Sequence, residues 1–225
     1  MSRVIKRIFV IPVIVGLLLS SIVSRAASGP CEIFYFTYSG SVGAGGSAAI
    51  ESYLNNMGYS ASRYANTHAY YVRRTMDNDK VFAIVSHGMP GRVVCKDGVT
   101  TVSANAVSSD NNNYSLAACF SSGAFSNMKF AYYGACRSAN TSGTYGNLIT
   151  YSTGTLGAAS ALGFSNDIYT NKAAWYEEKL FMYLNNGFSV LSANSLAQLS
   201  TYNQYGTYGG VDSAVVSGTI GTTIN

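Results

Sequence analysis

Four short apolar runs stand out along the chain: "CEIFYFTY" at 31–38, "KVFAIVSHG" at 80–88, "KFAYYGA" at 129–135 and "GAASALGF" at 157–164. Within these runs the apolar residues mostly follow one another instead of alternating with polar ones. This pattern is typical of strands that are covered on both faces, as in the centre of a parallel sheet. We therefore predict four buried strands.

Between and after these strands, apolar residues recur at the spacing of a helix. One helix is predicted to end at Gly58, and its apolar positions share one face: Ile50, Tyr53, Leu54 and Met57. Another is predicted to start at a capping Asn171 and to end at Gly187, again with one apolar face: Tyr176, Leu180, Tyr183 and Leu184. Glycine is the usual residue just past a helix C-terminus, and asparagine is a common N-cap.

The remaining segments carry weaker signals. We predict a strand at 59–65, a helix at 69–76, a hairpin at 91–103 around Asp97-Gly98, a loop at 110–115, a helix at 189–202, and a closing strand or hairpin at 213–224. Strands that alternate with helices predict a doubly wound α/β sheet. Because no Pro-rich or charged linker divides the chain, residues 27–225 are expected to form one domain.

The first 26 residues differ from the rest. Three of the first seven are basic, the apolar run 8–23 follows, and "SRAAS" supplies small residues around a cut after Ala26. This order predicts a secretory signal peptide. The alternative is a membrane anchor, but 16 apolar residues fall short of the roughly 20 that cross a bilayer. We expect a secreted, periplasmic or cell-envelope protein with no stable membrane anchor after cleavage.

The net charge changes once the predicted signal is set aside. The whole chain has 14 Lys and Arg against 10 Asp and Glu, a formal charge of +4. Four of the basic residues lie in the signal, so ten residues of each sign remain. A nucleic-acid-binding surface needs a basic excess, and we therefore expect no nucleic-acid partner.

The chain has four cysteines, at positions 31, 95, 119 and 136, and two histidines. Export favours disulfides, and four cysteines can pair in three ways. A bond between Cys95 and Cys119 is one alternative. No Cys-x-x-Cys motif occurs, and the cysteines are scattered, which argues against a structural zinc site. The sequence predicts no metal or other cofactor.

The chemistry is predicted where two central strands end. His87 follows the strand predicted within 80–88, and Cys136 follows the strand at 129–135. Parallel strands have their carboxyl ends on the same side of a sheet, so the two side chains would lie together if these strands are neighbours. A thiol near pKa 8.5 is mostly protonated at neutral pH, and a nearby imidazole can take its proton. The backbone N–H groups of Gly88 and Cys136 are candidates for an oxyanion hole. Arg137 either adds positive potential or is an ordinary exposed arginine.

Cys119 and His68 are the alternative candidates for a reactive cysteine and histidine. Cys119 stands in "SLAACFSSG", but only about ten residues separate it from the strand at 129–135. That is too short for the crossover that parallel strands require. We predict that Cys119 lies in a helix or turn packed beneath the site. His68 precedes a predicted helix, and we expect it to have a surface or capping role.

Taken together, "VFAIVSHG" and "KFAYYGAC" resemble the strand-end motifs of the caspase–gingipain–legumain superfamily of cysteine peptidases, clan CD. "GAASALGF" is similar to the next strand of that family, and "AAWYEEKLFMYLNNGFSVLSA" to its following helices. The resemblance spans roughly residues 31–220 and is closest in style to bacterial CHAT-type caspase-like domains. It implies an αβα sandwich with a six-stranded, mostly parallel sheet, and an endopeptidase that acts on proteins or peptides. His87 would be the general acid/base, Cys136 the nucleophile and Gly88 an oxyanion donor.

Three further residues could line such a site: Ser86, Gly134 and Arg137. Some relatives carry an acidic residue just before the Ala-Cys pair, but this chain has Gly134 there, so no preference for a basic substrate residue is predicted. Some relatives depend on calcium, although no acidic cluster indicates it here. Two alternatives stay open: a catalytically weak, caspase-like interaction module, and a structural domain with Cys136 in a disulfide.

Overall fold

A computed structural model of the chain describes residues 29–37 and 43–225. The strands, in chain order, are β1 (Pro30–Tyr35), β2 (Ser60–Ala65), β3 (Val81–Val85), β4 (Gly88–Met89), β5 (Arg92–Val94), β6 (Thr101–Ser103), β7 (Asn113–Ser115), β8 (Phe130–Gly134), β9 (Ser160–Phe164) and β10 (Ala214–Gly218). The helices are α1 (Ala44–Asn56), α2 (Ala69–Thr75), α3 (Leu148–Thr150), α4 (Thr170–Asn185) and α5 (Val190–Tyr205).

Six of these strands form one sheet, in the order β10-β9-β8-β3-β1-β2. The first five strands of this sheet along the chain run parallel to their neighbours, and only β10 is antiparallel to β9. A small second sheet, β4-β5-β6-β7, branches from the segment between β3 and β8. The predicted doubly wound α/β fold with a six-stranded, mostly parallel sheet is confirmed.

The sheet is covered on both faces. Every residue of β3, β8 and β9 is buried, as the continuous apolar runs predict. On one face the core includes apolar residues of α1, α4 and α5. On the other face the core includes residues of α2, α3 and the small sheet. The loops that connect such parallel strands lie at the two ends of the strands, and a site can form there.

Two local predictions are wrong. Asn171 lies inside α4, which begins at Thr170 after an N-cap at Tyr169 that has no side-chain cap. The predicted loop at 110–115 contains β7, which pairs parallel with β6. Its polar sequence gives no strand pattern; the pairing comes from tertiary contacts, including a hydrogen bond from the Thr101 hydroxyl to Asn113 Oδ1 at 3.2 Å.

The predicted signal peptide at 1–26 lies outside the described residues and stays a prediction. Within the described ranges, no helix is both long and apolar enough to span a bilayer.

Candidate active site

The register of β3 and β8 brings the predicted dyad together. Val85 pairs with Gly134 as the last pair of these parallel strands, and the Ser86 N–H donates to the Gly134 carbonyl at 3.1 Å. His87 is the second residue after Val85, and Cys136 is the second residue after Gly134. The two residues therefore leave neighbouring strands at the same level of the same edge.

The space around Gly88 shows how closely the segment after β3 approaches the segment after β8. A Cβ added to Gly88 would lie 1.9 Å from the Cys136 carbonyl oxygen and 2.9 Å from the Cys136 nitrogen. Any side chain would therefore overlap the backbone of Cys136, so only glycine fits without a shift. A hydrogen bond from the Gly91 N–H to the Arg137 carbonyl, at 3.2 Å, ties the same two segments together again.

His87 and Cys136 are both partly buried. Nε2 of His87 is shielded from solvent, and the His87 carbonyl accepts a hydrogen bond from the Val94 N–H at 2.9 Å. The small sheet thus fixes the backbone of the histidine. Within the described part of the chain, the Cys136 backbone N–H donates no hydrogen bond, which leaves it available to a ligand.

The sulfur of Cys136 contacts a loop that follows β9. The Ile168 N–H donates to Sγ at 3.3 Å, and the Ile168 carbonyl lies 3.8 Å from Sγ. The backbone of Ile168 therefore contacts the sulfur with both its N–H and its carbonyl group. The loop 165–169 is therefore part of the site.

Arg137 links the nucleophile segment to the same loop. Its backbone is left-handed, with φ of 54°, which is uncommon for a residue other than glycine. Its N–H donates to the Asn166 carbonyl at 3.2 Å, and its guanidinium pairs with Asp167 at 2.7 Å. Because the carboxylate of Asp167 compensates its charge, Arg137 adds little net positive potential at the thiol.

The loop 165–169 was not predicted as part of the site. Only its position could have indicated this role, because it follows β9 at the carboxyl end of the sheet, where His87 and Cys136 also lie. Its contacts form through tertiary structure, including a hydrogen bond from the Tyr169 N–H to the Gly209 carbonyl at 3.0 Å. No local motif marks such a contact.

The other two predicted lining residues lie in the interior. Ser86 is buried, and its hydroxyl donates to the Val94 carbonyl. Gly134 is buried within β8, and a Cβ added there would lie 2.6 Å from the Tyr132 ring and 2.9 Å from Glu177 Oε1. Ser86 and Gly134 therefore belong to the core next to the site and do not line its surface.

The remaining cysteines and the second histidine lie elsewhere. Cys119 lies in a turn and is a free thiol, so the suggested bond to Cys95 is absent. Cys136 is likewise a free thiol, which contradicts the disulfide alternative for it. Burial raises the pKa of Cys31 to about 12, which makes that thiol inert. His68 caps α2, as expected, with Nδ1 accepting from the Tyr70 N–H at 3.2 Å.

Among the described residues, no group of three or more His, Cys, Asp or Glu side chains is arranged to hold a metal ion.

The chain matches no protein-family model and no curated protein sequence. Solved structures do match it. One is gingipain R, an Arg-specific cysteine proteinase: the TM-score is 0.52, the identity is 11%, and the match covers 88% of this chain and 48% of that one. Another is the Saccharomyces cerevisiae separase–securin complex, with a TM-score of 0.48 and 15% identity, over 86% of this chain and 12% of that one.

The chain thus spans less than half of the gingipain R chain and about an eighth of the separase chain. At these identities the likeness concerns the fold and not the activity. The strand order of the sheet and the match to gingipain R agree with the resemblance seen in the sequence. The chain has the caspase/gingipain-like fold of the clan CD cysteine peptidases.

Proposed function

We propose that this protein is a cysteine endopeptidase in which His87 and Cys136 form the catalytic dyad. One observation carries the proposal: the two residues stand at equal positions past neighbouring strand ends, with Gly88 packed directly on the Cys136 backbone. The fold is one that cysteine peptidases use, which supports a hydrolase.

The first half of the proposed reaction forms an acyl-enzyme. His87 takes the thiol proton of Cys136, and the thiolate attacks the carbonyl carbon of the scissile peptide bond. The oxygen of that carbonyl becomes an oxyanion, which the N–H groups of Gly88 and Cys136 stabilise. The C–N bond then breaks, and His87 gives its proton to the leaving amine. The product of this half is a thioester on Cys136.

The second half releases the acid. A water molecule replaces the amine, His87 removes a proton from it, and the hydroxide attacks the thioester carbonyl. The C–S bond breaks, and the proton on His87 returns to the sulfur. The enzyme is then restored with no net change of protonation. The Ile168 N–H holds the sulfur of Cys136 in place before the substrate binds.

The substrate in this proposal is a protein or peptide, and the reaction needs no cofactor. We further propose that the protein acts outside the cytoplasm, on the strength of the predicted signal in residues 1–26.

An interaction module is the second candidate function. The observation that favours it is a set of exposed aromatic residues: Tyr169 of the loop 165–169 and Tyr202 and Tyr205 of α5 are 68%, 45% and 37% exposed. Large exposed aromatic side chains are enriched in binding surfaces. A peptidase can also use such a surface to bind its substrate. Only an assay of catalysis therefore distinguishes the two candidate functions.

The test compares three variants on a diverse peptide library under mild reduction: Cys136→Ala, His87→Ala and the control Cys119→Ala. The proposal expects cleavage by the unmodified protein and by Cys119→Ala, and none by the other two. Cleavage that survives in Cys136→Ala would reject the nucleophile assignment. If no protein in the set cleaves, with or without calcium, the interaction module replaces the peptidase.

A further inference from the structure

A row of alternating aromatic and basic side chains follows one face of α4. Lys172, Trp175 and Lys179 are spaced at i, i+3 and i+7 on this helix, which places them on the same face. Tyr169 lies just before the helix, and Tyr205 is the last residue of α5. We call these five residues the α4 stripe.

Direct contacts join the members of the α4 stripe one after another. The Lys172 ammonium lies 5.2 Å from the centre of the Tyr169 ring and 5.9 Å from that of the Tyr205 ring. The Tyr205 ring meets the Trp175 ring edge-on, with the centres 6.2 Å apart, and the Lys179 ammonium lies 4.2 Å from the centre of the Trp175 ring. Tyr169 and Tyr205 are 68% and 37% exposed, so the surface around Lys172 is open to solvent.

Lys172 is the basic member of the α4 stripe whose charge no carboxylate compensates. Lys179 pairs with Glu178 at 2.7 Å, but among the described residues no carboxylate forms an ion pair with Lys172. Lys172 also lies in the first turn of α4, where a positive charge opposes the helix dipole and where no acidic residue offsets it. Helix stability therefore does not account for a lysine at this position.

The side chain of Lys172 is held in place by its neighbours. A Cβ added to Gly209 would lie 2.1 Å from Lys172 Cδ, so the stem of the lysine packs directly on the backbone of Gly209. The carbonyl of Gly209 accepts a hydrogen bond from the Tyr169 N–H at 3.0 Å, which fixes the same backbone. The two tyrosine rings attract the ammonium by cation–π interaction. A charge that is already fixed loses little conformational entropy when it binds a ligand.

The α4 stripe begins in the loop of the candidate active site. Tyr169 follows Ile168, whose backbone contacts the sulfur of Cys136. The next basic side chain along the chain is Lys172, in contact with the Tyr169 ring. The stripe is therefore continuous in the chain with the loop that touches the proposed nucleophile.

We propose that the α4 stripe binds an acidic and aromatic segment of a polypeptide partner, in which a carboxylate pairs with Lys172. Tyrosine and tryptophan rings bury large areas at interfaces, and the tyrosine hydroxyls can donate to a carboxylate. One uncompensated ammonium matches one carboxylate. The dense row of phosphates of a nucleic acid instead calls for a basic excess, and residues 27–225 carry ten charges of each sign. Binding needs no catalysis; if the protein is the proposed peptidase, the partner is its substrate.

Fluorescence anisotropy with labelled peptides tests this binding. The full chain carries Cys136→Ala, which removes the proposed nucleophile, so the result does not depend on whether the protein cleaves. The first probe is a peptide of alternating glutamate and tyrosine residues, and two others have glutamine or lysine in place of glutamate. We expect the glutamate peptide to bind most tightly and the lysine peptide to show no binding. The affinity for the glutamate peptide should fall as salt is added.

Substitutions in the α4 stripe separate the role of charge from that of the rings. Lys172→Gln should weaken binding of the glutamate peptide about five-fold, as expected for one exposed ion pair, and leave the glutamine peptide unaffected. Lys172→Met, which keeps an apolar stem on Gly209, should behave in the same way. Tyr205→Ala should weaken both peptides alike. The matched control is Lys96→Gln, which removes the same charge from an exposed turn outside α4 and should change neither affinity.

Three results would overturn the proposal: equal affinities for the glutamate and glutamine peptides, an equal loss of affinity in Lys96→Gln and Lys172→Gln, or no binding of any peptide. Tighter binding of an oligothymidylate than of the glutamate peptide would also overturn it and assign the stripe to nucleic acid. If the glutamate peptide binds as expected while the peptide-library digest shows no cleavage, the docking surface is retained and the peptidase is rejected.

Discussion

Replacement of Gly88 by alanine is the most direct structural perturbation of the proposed site. The added Cβ would lie 1.9 Å from the Cys136 carbonyl oxygen, whereas real contacts of this kind stay above 3.0 Å. The histidine and cysteine segments must therefore separate by about 1 Å. Misplacement of reacting groups by that distance can cost about 100-fold in rate, which corresponds to about 3 kcal/mol in the activation free energy. We expect kcat/KM to fall by about that factor.

The cost to folding should be smaller. Overpacking of a well-packed region typically costs about 1–3 kcal/mol, so Gly88→Ala should remain folded in a stable domain. The assay is kcat/KM on a cleaved peptide, with the free energy of unfolding measured in parallel. Gly143→Ala is the matched control, because a Cβ there meets nothing within 4 Å. Full activity in Gly88→Ala would refute the close approach of the two segments.

Three further outcomes are expected. Because the pKa of Glu177 rises from 4.5 to about 8 on folding, its contribution to stability is complete below pH 4.5 and is lost as the pH rises through about 8. Denaturant unfolding at several pH values measures this effect. Between pH 4 and pH 9, the free energy of unfolding of the unmodified protein should fall by up to about 5 kcal/mol relative to that of Glu177→Gln. The same pH dependence of the unfolding free energy in both proteins would contradict this. Iodoacetamide at pH 7, followed by mass spectrometry, should modify Cys136 well before Cys31, whose pKa is about 12, and equal rates would rule out an activated thiol. Asp167→Asn should change the free energy of unfolding by less than about 1 kcal/mol, since its ion pair is half exposed; a larger loss in thermal or denaturant unfolding would show that the pair anchors the loop 165–169.

The central sheet was predictable because its strands are buried on both faces. The runs that contain β3, β8 and β9 are continuously apolar, and every residue of these strands is buried. Their parallel order then placed the residues after β3 and β8 at one edge. The proximity of His87 and Cys136 follows from this rule, and the register of the two strands agrees with it.

What could not be predicted depends on tertiary contacts. The polar strand β7 forms only because β6 offers an edge, and the loop 165–169 joins the site through backbone groups whose positions no residue type reveals. Gly134 stood out in the sequence for its missing acidic side chain. The structure shows an acidic group in the same space, supplied by Glu177 from α4, 43 positions further along the chain. Such long-range replacement leaves no local pattern.

The peptide-library digest with Cys136→Ala and Cys119→Ala is the measurement that tests the central claim most directly. The two variants remove one thiol each from similar Ala-Cys sequences, and only Cys136 follows a strand of the central sheet. We predict that cleavage disappears in Cys136→Ala and persists in Cys119→Ala. Cleavage that persists in Cys136→Ala, or that disappears only in Cys119→Ala, would contradict the proposed active site.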